Sequence, residues 1–313
     1  MNRLLILTTD ADDYSSVFRD SSHLHDLEIL SCSRVEDARE VIQNCTIVLG
    51  DPAMVAAVLE QARSLKWVQS TFAGIDPLCE KGLRRDYILT GVKGIFGPLM
   101  SEYVFAYILA LERHLFETRE NQRKKSWIDI PYRTLRTLTM GVCGLGSVGE
   151  CIAQTGAHFG MRVLGFKRTP TGCPYVEKVY TGSSFGEFLE SLDYLVVALP
   201  RTLDTNRLID SAALSKMKPS AVLINVGRGN AVVESDLVDA LRDGTIRAAV
   251  LDVFQQEPLP SDSALWGLSN AFITPHNSAL SFPEDIVQIF CDNYRRFLDH
   301  RPLHYVVDFE RGY

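Results

Sequence analysis

Apolar residues near the start of this chain occur in short runs that are separated by amphipathic stretches. Runs of strand length at 3–8, 46–50 and 67–70 alternate with helical patterns at 35–44 and 53–64. Strands that alternate with helices are typical of parallel α/β units. The N-terminal region is therefore predicted to form a parallel sheet covered by helices.

A second series of apolar runs begins at residue 138. The runs are near-continuous, as in central parallel strands that are buried on both faces, and lie at 138–143, 162–166, 194–199, 221–226, 247–253 and 271–274. This pattern predicts a doubly wound α/β sheet. A last helix is predicted at 284–300, and periodicity does not indicate where it packs.

The two series are joined by a segment that breaks the periodicity. Gly91, Gly94, Gly97 and Pro98 suit a hinge-like connection, and 313 residues are enough for two domains. The helix predicted at 99–115 is apolar on every side, so it should be covered. Either a second subunit or packing between two domains would cover it.

Charge and composition narrow the function classes. The net charge of −7 argues against a nucleic-acid partner, which requires a positive surface. No apolar stretch approaches the roughly 20 residues of a membrane span, and the first residues lack a signal-peptide pattern, so a cytoplasmic location is expected. Seven scattered cysteines show neither a disulfide framework nor metal-ligand spacing, and no metal is predicted.

A glycine-rich segment directly follows the apolar run at 138–143. It contains Gly144, Gly146, Ser147, Val148 and Gly149, and a helical pattern at 150–159 comes next. In this setting the first glycine makes a tight turn, the second lets backbone approach a pyrophosphate, and the third lets helix and strand pack closely. The helix N-terminus then attracts phosphate, so these five residues predict a dinucleotide site.

Two cations follow the next strand. A carboxylate at this point would hydrogen-bond the adenosine ribose of NAD, but the chain has Lys167 and Arg168 there. Both side chains can form charge-assisted hydrogen bonds to a 2′-phosphate. The sequence predicts that NADP(H) is preferred and that NAD(H) is possible.

Polar residues stand at the ends of the later strands, where ligands of open parallel sheets bind. They are Pro200, Arg228, Asp252 and His276, and Glu257 lies between the last two. Arg228 has the planar fork that holds a 2-keto acid, and His276 can exchange the proton that hydride transfer requires. Glu257 could hydrogen-bond His276 and raise its pKa. From the residues alone, a surface arginine, a structural histidine and a loop carboxylate remain an alternative.

Four segments together resemble the D-isomer-specific 2-hydroxyacid dehydrogenase family, at 144–149 with Ala153, 223–229, 251–258 and 274–279. The resemblance implies an NAD(P)-dependent oxidoreductase that reduces a small 2-keto acid to a D-2-hydroxy acid. It implies Arg228 as the substrate-binding residue, His276 as the acid/base and Glu257 as its partner. Asp252 would meet the nicotinamide carboxamide.

The resemblance also implies an architecture. A Rossmann cofactor domain at 97–281 would be inserted into a flavodoxin-like substrate domain at 1–96 and 282–313. Backbone N–H groups of Ala73 and Gly74 would bind the substrate carboxylate. Gly97 and Pro98 resemble the start of the family's dimer-forming helix, which favours a homodimer.

Two alternatives remain open at this point. The same chemistry could act on a bulky branched or aromatic 2-keto acid, because single apolar contacts discriminate substrates only weakly. The chain could also be a dinucleotide-sensing interaction protein of the same fold. The sequence does not decide between these functions.

Overall fold

The structure is a computed structural model that describes residues 1–20 and 26–310. The chain forms two compact units, a first unit of Met1–Ile95 with Ser281–Tyr313 and an inserted unit of Phe96–Leu280. The predicted domain ranges differ from these units by one residue at each junction. Positions 21–25 and 311–313 of the predicted first domain lie outside the described residues. The roles of substrate and cofactor domain stay predictions.

The first unit contains a five-stranded sheet in the order β2-β1-β3-β4-β5, and every strand pair is parallel. Its strands are β1 Asn2–Leu7, β2 Leu27–Cys32, β3 Ile47–Gly50, β4 Trp67–Ser70 and β5 Ile88–Thr90. The helices between them are α1 Ala11–Asp20, α2 Val35–Val41 and α3 Pro52–Ala56. This strand order is that of flavodoxin-like sheets.

The inserted unit contains a seven-stranded parallel sheet in the order β12-β11-β10-β9-β6-β7-β8. Its strands are β6 Thr139–Cys143, β7 Arg162–Phe166, β8 Lys178–Tyr180, β9 Tyr194–Val197, β10 Val222–Asn225, β11 Ala248–Leu251 and β12 Ala271–Ile273. Its helices are α4 Phe96–Glu112, α5 Leu115–Arg123, α6 Ser147–His158, α7 Phe185–Glu190, α8 Ser211–Lys216 and α9 Glu234–Arg242. The strand order reverses between β6 and β9, as in Rossmann sheets.

Helices cover both faces of this second sheet. Residues of α7, α8 and α9 share one apolar cluster with the strands, and residues of α4 and α6 share the other. Phe105 of α4 stacks on Phe159 at the end of α6, with ring centroids 5.1 Å apart. The predicted fold class, α/β with a doubly wound Rossmann sheet and a second flavodoxin-like sheet, is confirmed.

The last helix, α10 Pro283–Leu298, belongs to the first unit. Its Phe290 stacks on Trp67 of β4 with ring centroids 4.9 Å apart, and both side chains are fully buried. The helix predicted at 284–300 therefore packs on the sheet of the first unit, which its periodicity did not indicate.

One strand differs from its prediction. The run at 271–274 was expected to form a central strand, but β12 lies at the edge of the sheet and its three residues are only partly buried. A strand of only three apolar residues gives the same sequence pattern whether one face of the sheet or both faces are covered. The pattern therefore could not distinguish an edge strand from a central strand. In the part of the chain that is described, no helix has the length and apolar character to cross a membrane.

Candidate functional site

The predicted residues of the inserted unit follow neighbouring strands of one sheet. In sheet order, His276 follows β12, Asp252 follows β11, Arg228 follows β10 and Pro200 follows β9. The glycine segment follows β6, and Lys167 and Arg168 follow β7. Because all these strands are parallel, the whole set lies along the carboxyl edge of the sheet, where ligands of this fold bind.

The glycine segment has the geometry that a pyrophosphate needs. Gly144 has φ +99°, and a Cβ on Gly149 would stand 1.8 Å from the Gly144 carbonyl oxygen, so neither position accepts a side chain. A Cβ on Gly146 would meet nothing within 4 Å. Open space therefore lies beside the N-terminus of α6, which begins at Ser147 and continues with Val148. The residues present fit a bound dinucleotide.

Lys167 and Arg168 directly follow the end of β7. Arg168 is exposed, Lys167 is partly exposed, and neither forms an ion pair with any residue in the described ranges. The backbone N–H of Lys167 donates to the Tyr180 carbonyl, 3.2 Å away, which fixes the start of this turn. Two cations are thus held at the place where the ribose end of a dinucleotide lies in this fold.

Arg228 is supported by a buried asparagine that sequence reasoning missed. The Asn225 amide Nδ2 donates to the Arg228 carbonyl oxygen at 3.2 Å, and its Oδ1 accepts from the Gly227 N–H at 3.2 Å. Asn225 is 1% exposed at the end of an otherwise apolar strand, which is the one signal that could have marked it. The guanidinium Nη1 of Arg228 donates to the Gly227 carbonyl, 2.7 Å away.

His276 and Glu257 form a direct pair. The Nδ1 atom of His276 lies 2.7 Å from Glu257 Oε2, and Glu257 Oε1 accepts the Phe254 N–H at 2.9 Å. Both carboxylate oxygens are therefore used, and the carboxylate is held in one orientation. Since Nδ1 is occupied by the carboxylate, Nε2 is the nitrogen of His276 that remains for proton transfer to a ligand.

The charges of this pair shift both pKa values. The hydrogen bond to Glu257 raises the pKa of His276, and the negative charge of that carboxylate adds to the effect against the opposing influence of burial. Burial alone would raise the pKa of Glu257, but its bonds to His276 and Phe254 outweigh burial and lower it. The positive charge of Arg228 lowers the pKa of both groups.

Asp252 holds the loop that carries His276. Its Oδ1 accepts from Thr274 Oγ1 at 2.6 Å and from the Asn277 N–H at 2.9 Å, and its Oδ2 accepts from the Ser278 N–H at 3.0 Å. The carboxylate is fully buried. The His276 N–H donates to the Asp252 carbonyl at 2.9 Å. Its predicted contact with the nicotinamide carboxamide stays a prediction.

The loop needs this support because His276 has a left-handed backbone with φ +52°. Such a conformation costs a residue with a side chain roughly 1–2 kcal/mol. Tyr103 of α4 extends the network, since its hydroxyl lies 2.7 Å from Thr274 Oγ1. Sequence reasoning missed Tyr103 and Thr274, because only tertiary packing brings α4 to the end of β12.

Three further predicted positions are Pro200, Ala73 and Gly74. Pro200, which follows β9 at the carboxyl edge, is exposed, and its carbonyl accepts from Thr205 Oγ1 at 2.7 Å. Ala73 and Gly74 belong to the first unit, in the loop after β4, where the Phe72 N–H donates to Ser70 Oγ at 3.0 Å. Across residues 1–20 and 26–310, no group of three or more potential ligands could hold a metal ion.

A model of one protein family matches residues 105–278 of the chain. The family is described as "D-isomer specific 2-hydroxyacid dehydrogenase, NAD binding domain". The match covers more than half of the sequence and includes the glycine segment, Arg228, Glu257 and His276. It therefore spans nearly the whole inserted unit.

Individual proteins show the same similarity. Glyoxylate/hydroxypyruvate reductase A of Klebsiella pneumoniae is 29% identical over 260 residues, which are 81% of this chain and 83% of that protein. A crystal structure of a D-isomer specific 2-hydroxyacid dehydrogenase family protein from Aeromonas salmonicida is 46% identical with a TM-score of 0.95, covering 98% of this chain and 99% of that one. The NADPH-dependent glyoxylate/hydroxypyruvate reductase of Sinorhizobium meliloti, solved with NADP and sulfate, is 26% identical with a TM-score of 0.89, and each chain is covered completely. The predicted family is confirmed: the chain belongs to the D-isomer specific 2-hydroxyacid dehydrogenases and is an NAD(P)-dependent oxidoreductase.

Proposed function

We propose that the protein uses NADPH to reduce a small 2-keto acid to a D-2-hydroxy acid. The observation that carries this proposal is the pair formed by His276 and Glu257 near Arg228, on the same sheet edge as the glycine segment. A proton donor, a carboxylate-binding cation and a dinucleotide cradle are the three parts that carbonyl reduction requires. When bound, the nicotinamide supplies the hydride to the carbonyl carbon.

Arg228 binds and polarises the substrate in this proposal. Its guanidinium can donate two parallel hydrogen bonds, one to the substrate carboxylate and one to the neighbouring carbonyl oxygen. Negative charge develops on that oxygen as the carbonyl carbon is reduced, and a fixed cation stabilises it. The family resemblance adds the backbone N–H groups of Ala73 and Gly74 as further carboxylate ligands, and this assignment stays a prediction.

His276 provides the proton. In its protonated form, Nε2 donates to the carbonyl oxygen while Nδ1 remains hydrogen-bonded to Glu257. The carboxylate stabilises the charged imidazole, so the donor is present to a higher pH than an isolated histidine would allow. In the reverse direction the neutral imidazole accepts the proton of the hydroxyl group.

The Glu257→Gln variant is expected to shift the pH dependence of reduction. Reduction uses protonated His276, so kcat falls as pH rises through the pKa of this residue. Loss of the carboxylate lowers that raised pKa, and the alkaline fall should therefore begin at lower pH. The measurement is kcat against pH for the parent, for Glu257→Gln and for Glu40→Gln, a control at an exposed glutamate of the first unit. An unshifted profile for Glu257→Gln would show that Glu257 does not control His276.

Lys167 and Arg168 select NADPH in this proposal. Replacing both with serine removes charge-assisted hydrogen bonds that each contribute roughly 1.5–3 kcal/mol to phosphate binding. The KM for NADPH is expected to rise about 10²- to 10⁴-fold, while the KM for NADH changes little. Lys66→Ser with Arg63→Ser, two exposed cations of the first unit, is the matched control. Equal KM changes for the two cofactors would refute the role of this pair.

The substrate is proposed to be a small acid of the glyoxylate and hydroxypyruvate type, since relatives that match most of this chain carry those names. The test is a steady-state panel that follows NADPH consumption with glyoxylate, hydroxypyruvate, and branched and aromatic 2-keto acids. The highest kcat/KM is expected for one of the small acids. A preference for a bulky acid would keep the chemistry and correct the substrate class.

The predicted homodimer also belongs to this proposal. A segment that we call the arm, residues 115–128, includes α5, which has no buried residue. Large apolar side chains are exposed along it, at Leu115, Phe116, Trp127 and Ile128. Several exposed apolar groups in one segment mark a protein-protein contact, and we propose that a second copy of this chain covers them. The cytoplasmic location stays a prediction.

Trp127→Glu combined with Ile128→Glu is expected to convert the dimer to a monomer, because it buries two charges in the proposed contact. Analytical ultracentrifugation measures the mass. Leu203→Glu provides the control, since Leu203 is also an almost fully exposed apolar residue but lies outside the arm. A dimer that survives the double substitution would place the contact elsewhere.

A further inference from the structure

A cavity lies at the amino edge of the inserted unit's sheet, opposite the carboxyl edge. It has a volume of about 540 Å³, which is within the range of small-molecule pockets. Its walls come from the ends of α4 and α6 and from the segment before β6. The polar and aromatic residues that matter here are Glu112, Arg113, Tyr132, Arg133, Arg136 and His158. This cavity is separate from the carboxyl edge, which holds the proposed catalytic residues.

The acid of this cavity is fully engaged by partners. Glu112 Oε1 accepts from Arg133 at 2.8 Å, from Arg247 at 2.8 Å and from the Tyr194 hydroxyl at 2.7 Å. Its Oε2 accepts a second bond from Arg133 at 3.0 Å, and its side chain is only 3% exposed. A carboxylate that is buried and paired in this way does not repel an anion in the cavity.

The surrounding ion pairs leave positive charge in excess. Arg133 also lies 3.4 Å from Asp193, which Lys218 approaches to 3.2 Å. This group of neighbouring side chains has two acids, Glu112 and Asp193, against three cations, Arg133, Arg247 and Lys218. Only Glu112 and Arg133 of this group line the cavity, where their charges balance, and the group as a whole has one cation in excess.

Two further arginines add to this charge. In the described part of the chain, neither Arg113 nor Arg136 forms an ion pair with a carboxylate. The Arg113 guanidinium lies over the Tyr132 ring, 4.1 Å from its centroid. The stem of Arg136 packs at Gly160, where an added Cβ would stand 3.0 Å from Arg136 Cγ. Packing thus holds both cations at the cavity while their charges stay uncompensated.

We propose that this cavity binds a small organic anion that carries at least two negative groups. Arg113 and Arg136 would each hold one carboxylate or phosphate group through their planar forks, and the excess cation of the ion-pair group that includes Glu112 and Arg133 would add attraction. The aromatic rings of Tyr132 and His158 at the rim would contact the body of the ligand. The protein would then have two ligand sites, one on each edge of the same sheet.

Isothermal titration calorimetry with citrate and with pyrophosphate tests the proposal at low ionic strength. The full-length protein is measured with and without saturating NADPH, so that binding at the dinucleotide site is recognised by its loss when NADPH is present. The variants are Arg113→Ala with Arg136→Ala, the same pair changed to Lys, and Arg63→Ala with Lys66→Ala as a control of equal charge. Unfolding curves and sedimentation mass are recorded for each.

The expected result is that NADPH-saturated protein binds at least one of these anions. The alanine pair should raise its Kd at least about 10-fold, because two charge-assisted contacts are lost. The lysine pair should lie between the parent and the alanine pair, since it keeps charge without the fork. The control pair should match the parent. A preference for citrate or for pyrophosphate identifies which negative group the site favours.

Three results would overturn the proposal. NADPH-saturated protein could bind neither anion. The alanine pair and the control pair could bind with the same Kd although both are folded. The alanine pair could change the sedimentation mass and leave anion binding unaltered, which would show that a second copy of the chain occupies the cavity.

Discussion

Replacing His276 with Asn is expected to lower kcat for 2-keto acid reduction by roughly 10²–10⁴-fold, the usual contribution of a positioned general acid. Asparagine tolerates the left-handed backbone of this position, φ +52°, so the loop should keep its conformation. Binding of NADPH should persist, because the glycine segment and the two cations after β7 are unchanged. Steady-state kinetics and fluorescence titration of NADPH measure the two effects separately.

His300→Asn is the matched control for this experiment. His300 is an exposed histidine of the first unit that also has a left-handed backbone, with φ +54°. The same chemical change there should leave kcat within about two-fold of the parent, as surface substitutions usually do. If His276→Asn kept near-parental turnover, His276 would not be the proton donor, and the site proposal would be wrong.

Replacing Arg228 with Ala should lower kcat/KM for the 2-keto acid by about 10²–10⁴-fold. Two charge-assisted hydrogen bonds to the substrate are lost, and each contributes roughly 1.5–3 kcal/mol. Part of the loss should be in kcat, because the cation also stabilises the charge that develops on the carbonyl oxygen. The measurement is kcat and KM at a pH where His276 is protonated in the parent.

Arg228→Lys separates the shape of this side chain from its charge. Lysine keeps the charge but cannot donate two parallel bonds, so kcat/KM should remain well below that of the parent. Arg242→Lys, at an exposed arginine of α9, serves as the control. Full activity of Arg228→Lys would show that charge alone suffices and would remove the bidentate contact from the proposal.

The sequence predicted the central part of the fold better than its edges. Strands β6, β9 and β10 were predicted because parallel strands that are buried on both faces are continuous apolar runs. The edge strands β2, β5 and β8 were missed. β8 has three residues, one of them the exposed Lys178, and β2 is only partly buried, so neither produces an apolar run of that kind.

Shorter helices were missed for a related reason. α8 has only six residues and depends on Asp210, whose Oδ1 accepts the Ala213 N–H at 2.9 Å, rather than on a long apolar face. α5 has no buried face at all. Periodicity identifies a helix only when one side is covered over several turns.

The residues of the candidate site could be predicted where a reactive or glycine residue directly follows an apolar strand. The glycine segment, Arg228 and His276 each stand directly after an apolar strand, and parallel topology places such positions on one edge. Asn225 and Tyr103 were not predictable, because their roles depend on hydrogen bonds that only the folded chain makes. Asp252 was expected to contact the cofactor, and its three hydrogen bonds to the His276 loop add a supporting role that its position in the sequence does not indicate.

The most direct test of the proposed reaction follows the hydride itself. The protein is incubated with hydroxypyruvate and with NADPH that carries deuterium at both C4 positions of the nicotinamide, and the product is analysed by chiral chromatography and mass spectrometry. The parent is expected to form D-glycerate with one deuterium at C2, and His276→Asn should form much less of it. Formation of the L isomer, or of no deuterated product from protein that binds NADPH and is tested across the panel of 2-keto acids, would contradict the proposed reaction.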